Sequence, residues 1–145
     1  MPGSFVLGVA SGKTTEESRL PRNIVDTPSA PAPMAPYSPA VEANGFVFLS
    51  GQVAIDPATG ERTPDDFAAQ THRVMKNIGL LLEDAGLGYE DIVKTTVFLA
   101  DISNFPTFNE VYGGYFESDP PARSTFQAGA LPGGFLIEIE VVAAR

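Results

Sequence analysis

Asn44-Gly45 separates two short segments of alternating character, residues 40–43 and 46–49. Both central positions of a type I′ turn need positive φ, which Asn and Gly tolerate best, so the pair predicts a two-residue hairpin. So short a turn also sets the register of its strands, and with it which side chains face a core. The second strand is expected to continue through Ser50-Gly51-Gln52 as far as Ile55. Gly51 inside a strand pattern predicts a bulge or a close approach to the backbone, such as that of a ligand.

Upstream, residues 27–39 carry five prolines: Pro28, Pro31, Pro33, Pro36 and Pro39. Proline lacks the N–H that helices and central strands use, so this stretch is an extended loop lying on another element. It holds the phenol of Tyr37 stiffly between Pro36 and Ser38, either as a ligand contact or as a core anchor. Asn23, Ile24 and Val25 suggest a short strand before it. Residues 1–21 are rich in Gly, Ser, Thr and charge and read as a weakly ordered arm, leaving one domain over residues 22–145. Gly12-Lys13-Thr14 within the arm is not a phosphate loop, because Leu7 stands where that motif needs its first glycine.

Downstream, Thr63-Pro64-Asp65-Asp66 predicts a helix start, with Thr63 as cap and Pro64 at the first helical position. Phe67, Thr71, Val74, Ile78, Leu81, Leu82 and Ala85 recur at spacings of three and four, one buried stripe that Gly86 ends. His72 falls off that stripe and reads as a solvated residue. Residues 92–100 are dense in β-branched side chains and form a strand. Asp101 or Ser103 caps a second helix with Phe105, Phe108, Val111, Tyr112, Tyr115 and Phe116 on its buried face. Asn109 and Glu110 lie on that helix.

After Pro120-Pro121, Arg123 opens a strand through Ala128, and residues 135–143 form the last strand. There Ile137, Ile139 and Val141 share one face, and Leu136, Glu138, Glu140 and Val142 the other. The Arg123 guanidinium offers a planar fork of donors that fits a carboxylate. With Glu138 or Glu140 on a neighbouring strand it would hold an anionic substrate and move a proton, or else form an interstrand salt bridge. The element order makes an α+β layer: one sheet of about six strands with two helices on one face. The other face keeps apolar residues that no helix remains to cover, which predicts a symmetric oligomer.

The net charge of −9 repels nucleic acid and anionic lipid, so neither is an expected partner. With no cysteine and one histidine, a thiolate or histidine metal centre and a disulfide framework are not expected. No apolar run reaches membrane-spanning length, and residues 5–10 are too short for a signal peptide. A cytoplasmic protein is the expectation.

The motifs Pro36-Tyr37-Ser38, Ser50-Gly51-Gln52, residues 56–60 (DPATG), residues 93–99 (VKTTVFL), Asn109-Glu110-Val111-Tyr112, residues 121–125 (PARST) and Ile137-Glu138-Ile139-Glu140 occur in this order. Together they resemble the RidA/YjgF family of reactive intermediate deaminases, historically labelled translation-inhibitor endoribonucleases. The resemblance covers about residue 23 to the C-terminus. It implies a chorismate-mutase-like α+β fold, a mostly antiparallel mixed sheet assembled as a homotrimer, with sites in clefts between subunits. It implies hydrolysis of 2-aminoacrylate and related enamines or imines to 2-keto acids and ammonia, without metal or organic cofactor. The family's carboxylate-binding arginine falls on Arg123 and its acid/base glutamate on Glu138. Tyr37, Ser50, Gly51 and Asn109 fall on positions lining the cleft. Thr125 stands where the family often has cysteine, and Ala130 where many deaminases carry a basic residue. The alternatives are a non-catalytic sensor of 2-keto acids or amino acids, an endoribonuclease, and a specialised deaminase or cyclisation helper in a biosynthetic pathway.

Overall fold

The computed structural model describes residues 21–145. The expected arm and the Gly12-Lys13-Thr14 segment therefore lie outside the described residues, apart from Pro21. Six strands form one sheet: β1 (Asn23–Ile24), β2 (Ala40–Ala43), β3 (Phe46–Gln52), β4 (Ile92–Leu99), β5 (Ala122–Gln127) and β6 (Ile137–Ala144), in the order β1-β2-β3-β6-β4-β5. Among the described residues two α-helices, α1 (Phe67–Asp84) and α2 (Phe105–Gly113), pack with the sheet. Only β4 and β5 run parallel. A parallel pair needs a crossover, and α2 supplies it.

The hairpin forms as the dipeptide predicts. Asn44 has φ +52° and Gly45 φ +82°, and Ala43 pairs with Phe46 across the turn. Strand β3 ends earlier than expected, at Gln52; beyond it only Ile55 bridges to Arg62. That bridge also moves the start of α1. Thr63 donates its N–H to the Ala54 carbonyl, so it is still extended and does not cap. The cap is Asp66, whose carboxylate accepts from the Ala69 N–H, and the helix begins at Phe67. Asp101 accepts from the Ser103 N–H and caps a 3-10 turn, Ile102–Asn104, which runs into α2.

The core lies between the helices and one face of the sheet. Val74, Met75, Ile78, Leu81 and Leu82 of α1 meet Val47 and Leu49 of β3, Val97 and Leu99 of β4, and Ile137, Ile139 and Val141 of β6. Each such side chain contributes roughly 1.5–3 kcal/mol by leaving water. Gly86, at φ +77°, closes α1 by donating to the Glu83 carbonyl. The proline-rich loop lies on the end of α1, where the N–H and hydroxyl of Ser29 both donate to the Asp84 carboxylate. Tyr37 within it is 54% exposed and so is not a core anchor. His72 is exposed, as its place off the stripe predicts, and its Nδ1 lies 2.7 Å from the Tyr115 hydroxyl. No helix among the described residues is long and apolar enough to cross a membrane.

Among the described residues no helix covers the sheet's second face. Paired residues share a face, so Ile24, Val41, Phe48 and Val142 stand in one row across β1, β2, β3 and β6. Ile24 is 57% exposed, Phe48 45% and Phe126 46%.

Candidate active site

Four of the seven expected site residues gather at a bulge in β3. The register to β6 runs Leu49 with Val141, then Gln52 with Ile139, so Ser50 and Gly51 together oppose Glu140. Ser50 is tied to the proline-rich loop: its N–H donates to the Pro39 carbonyl and its hydroxyl to the Ser38 carbonyl at 2.7 Å. The close approach expected at Gly51 is made by the Glu138 carboxyl. A Cβ at Gly51 would lie 2.0 Å from Glu138 Oε2. Tyr37 and Gly51 both line a cavity of about 120 Å³, together with Val53, Ile55 and Leu80.

Glu138 is half-buried, and its carboxyl is raised above the ordinary carboxylate range. Burial is the larger cause, and the like charge of Glu140 adds to it. A carboxylate tuned upward in this way is a stronger base than a solvated one, which suits it to taking a proton.

The other expected residues gather at the β5 edge. Arg123 pairs with Thr95 and Thr125 with Val97, which places both on the helix side of the sheet. The Arg123 guanidinium carbon lies 5.5 Å from the Phe105 ring centre, 5.1 Å from that of Phe108 and 5.3 Å from that of Tyr112. The ion pairs among the described residues are Arg62 with Asp65, Arg73 with Asp56 and Arg145 with Glu42; none involves Arg123. Thr125 Oγ1 is buried and has no hydrogen-bond partner among the described residues. Asn109 is exposed on α2, beside Phe108.

The expectation that Arg123 and Glu138 occupy neighbouring strands is overturned. Strand β4 lies between β5 and β6. Glu138 pairs with Phe98 of β4, whereas Arg123 pairs with Thr95. Side chains alternate along a strand, so residues three apart face opposite sides. The interstrand salt bridge is excluded for the same reason. The ring platform under Arg123 was not foreseen as such. Phe105, Phe108 and Tyr112 carry the i, i+3, i+7 spacing of a core stripe, and only the parallel pairing of β5 to β4 brings the cation to it.

The sequence model of the family described as Endoribonuclease L-PSP matches residues 27–145. The chain belongs to this family. The 2-iminobutanoate/2-iminopropanoate deaminase of Mus musculus is 41% identical over 128 residues, 88% of this chain and 95% of that one. The human protein of the same name is 44% identical over 126 residues, covering 87% and 92%. Reactive Intermediate Deaminase A, chloroplastic, of Arabidopsis thaliana is 45% identical over 126 residues, covering 87% of this chain and 67% of that one. Among solved structures, the E. coli YjgF gene product superposes with a TM-score of 0.80 at 40% identity, covering 85% of this chain and 98% of that one. The family's match begins four residues after Asn23, where the motif resemblance starts.

Proposed function

We propose that the protein hydrolyses 2-aminoacrylate and related 2-imino acids to 2-keto acids and ammonia, at a site shared by two copies of the chain. The Glu138 carboxyl carries the reading. It is half-buried, raised above its ordinary range and seated over a glycine, in a chain 41% identical to a protein named as an imino-acid deaminase. In the proposal one copy supplies Arg123, Thr125 and Asn109. The other supplies Tyr37, Ser50, Gly51 and Glu138.

The substrate carboxylate is gripped by the Arg123 fork, which fixes the C=N carbon in place. Water attacks the carbon of the protonated imine, Glu138 accepts a proton from the water, and the iminium nitrogen becomes a neutral amine. Glu138 then returns its proton to that amine, the C–N bond breaks to release ammonia, and the hydroxyl passes its proton to the freed Glu138 carboxylate as the C=O forms. No cofactor enters these steps. Thr125 Oγ1 keeps a free donor and acceptor for water or the leaving nitrogen.

The apolar row from Ile24 to Val142 is the surface that the partner copies cover, in the homotrimer the family resemblance implies. A cytoplasmic setting completes the proposal, although the Arabidopsis relative is named as chloroplastic.

The test is ammonia release from freshly generated 2-aminoacrylate by wild type, Arg123→Ala and Glu138→Gln. Loss of release in both variants, with oligomeric state retained, supports the assignment. Wild type that binds pyruvate without turning over any imine makes the protein a sensor instead.

A further inference from the structure

We infer that Phe105, Phe108 and Tyr112 form an aromatic platform that positions the Arg123 guanidinium for a carboxylate without engaging its N–H donors. The inference rests on the reading of Arg123 as a carboxylate clamp.

Arginines are held in place by one of two means. An acidic partner fixes the fork but consumes donors and neutralises the charge that a ligand would use. Aromatic faces attract the cation through the ring quadrupole and consume no donor. Arg123 has the second arrangement. Three ring centres lie 5.1–5.5 Å from its guanidinium carbon. No carboxylate among the described residues pairs with it.

The platform is itself anchored. The Tyr112 hydroxyl lies 2.8 Å from Thr95 Oγ1, and Thr95 is the residue paired with Arg123 across β4 and β5. Phe108 is fully buried and packs against Tyr112 with ring centres 4.9 Å apart. One strand residue therefore fixes both the arginine's backbone and the ring beneath its head. Phe105, only partly buried, forms the outer edge of the platform. It is the ring most open to substitution.

Three forms of the full-length protein separate the ring's electron-rich face from its bulk: Phe105→Leu, Phe105→Tyr, and wild type carrying 3,4,5-trifluorophenylalanine at position 105. Each is assayed for pyruvate binding by calorimetry and for KM and kcat with a 2-imino acid. The inference expects Phe105→Leu and the fluorinated form to raise both the pyruvate Kd and KM about tenfold, with kcat nearly unchanged. Phe105→Tyr restores both, because its ring face is intact. Fluorination leaves shape and fold unchanged, so its effect does not pass through stability. Equal binding by wild type and the fluorinated form overturns the platform and leaves the clamp standing. Unchanged pyruvate binding by Arg123→Ala overturns the clamp itself, and the platform with it.

Discussion

Arg123 and Glu138 project from opposite faces of the same sheet. Thr95, paired with Arg123, is buried against α2, whereas Phe98, paired with Glu138, faces the side on which no described helix lies. One protomer cannot bring both groups around a substrate of a few heavy atoms. If both act on the same molecule, two copies must meet so that the β5 edge of one lies against the β3 bulge of the other.

This geometry predicts complementation. Arg123→Ala and Glu138→Gln should each be inactive alone. Co-expressed at equal levels and assembled at random, about a quarter of the inter-subunit sites receive an intact Arg123 from one copy and an intact Glu138 from its neighbour. Ammonia release should recover to about a quarter of the wild-type rate. Mixed oligomers with no activity would mean that the two residues do not share a site across the contact.

Gly51→Ala should separate activity from stability. The new Cβ would meet Glu138 Oε2 at 2.0 Å, while Gly51 is not among the residues at positive φ, so its backbone accepts alanine. The carboxyl is the free end of a flexible side chain and moves aside at little cost in folding. Displacing a proton-transfer group by an ångström or so costs roughly a hundredfold in rate. The expected result is a kcat/KM reduced to that extent, with a thermal midpoint close to wild type. An active variant would show that the seat over Gly51 does not set Glu138's working position.

How much of this was legible in the sequence depended on how local the cause was. Asn44-Gly45 specifies its turn through backbone preference alone, and Gly86 ends α1 for the same reason. Gly51 signalled a close approach, but the approaching group lies far along the chain. Thr63-Pro64 and Asp66 are both sound helix starts by local chemistry. The choice fell to Asp66 because residues 62 and 63 are engaged with the segment after β3, which only the fold reveals. Strand order was the least legible feature. The last strand, β6, inserts between β3 and β4, and nothing in its own residues records that position. The motifs name the candidate residues, but their division between two faces follows from strand order, which no motif carries.

The pH dependence follows from the raised Glu138 carboxyl. As a base it acts when ionised, so activity should rise with pH through a value above the ordinary carboxylate range. Glu140→Gln removes the like charge that contributes to the shift, and the acid limb should move to lower pH. Burial, the larger cause, keeps it from returning fully. Stability has the opposite sign. A carboxyl whose pKa is higher folded than unfolded favours the native state below its unfolded value, and that contribution is lost as pH rises through the folded value. Glu138→Gln should therefore melt higher than wild type at neutral pH, with the difference vanishing under acid conditions. Melting curves for the two proteins across that range check the sign directly.

Arg62 should prove a stabilising residue of a different kind from Arg123. Its guanidinium donates to the carbonyls of both Gly133 and Gly134, pairs with Asp65 and lies 4.0 Å from the Phe135 ring centre. Gly133 and Gly134 have φ of +80° and +70°, a turn that exposes two adjacent carbonyls just before β6 begins. A Cβ at Gly133 would lie 2.7 Å from the Phe135 ring, so the turn and its clasp are built around one another. Two hydrogen bonds from a charged donor at a half-exposed site contribute about 2 kcal/mol together. Arg62→Ala should lower the thermal midpoint by about 4–8 °C for a domain of this size. Arg62→Lys should recover little, because a single ammonium lacks the planar fork that reaches both carbonyls. Neither variant should alter KM for a 2-imino acid at temperatures where it remains folded. A changed KM would tie the Gly133-Gly134 turn to the placement of Glu138, five residues beyond Gly133, and give Arg62 a part in the chemistry.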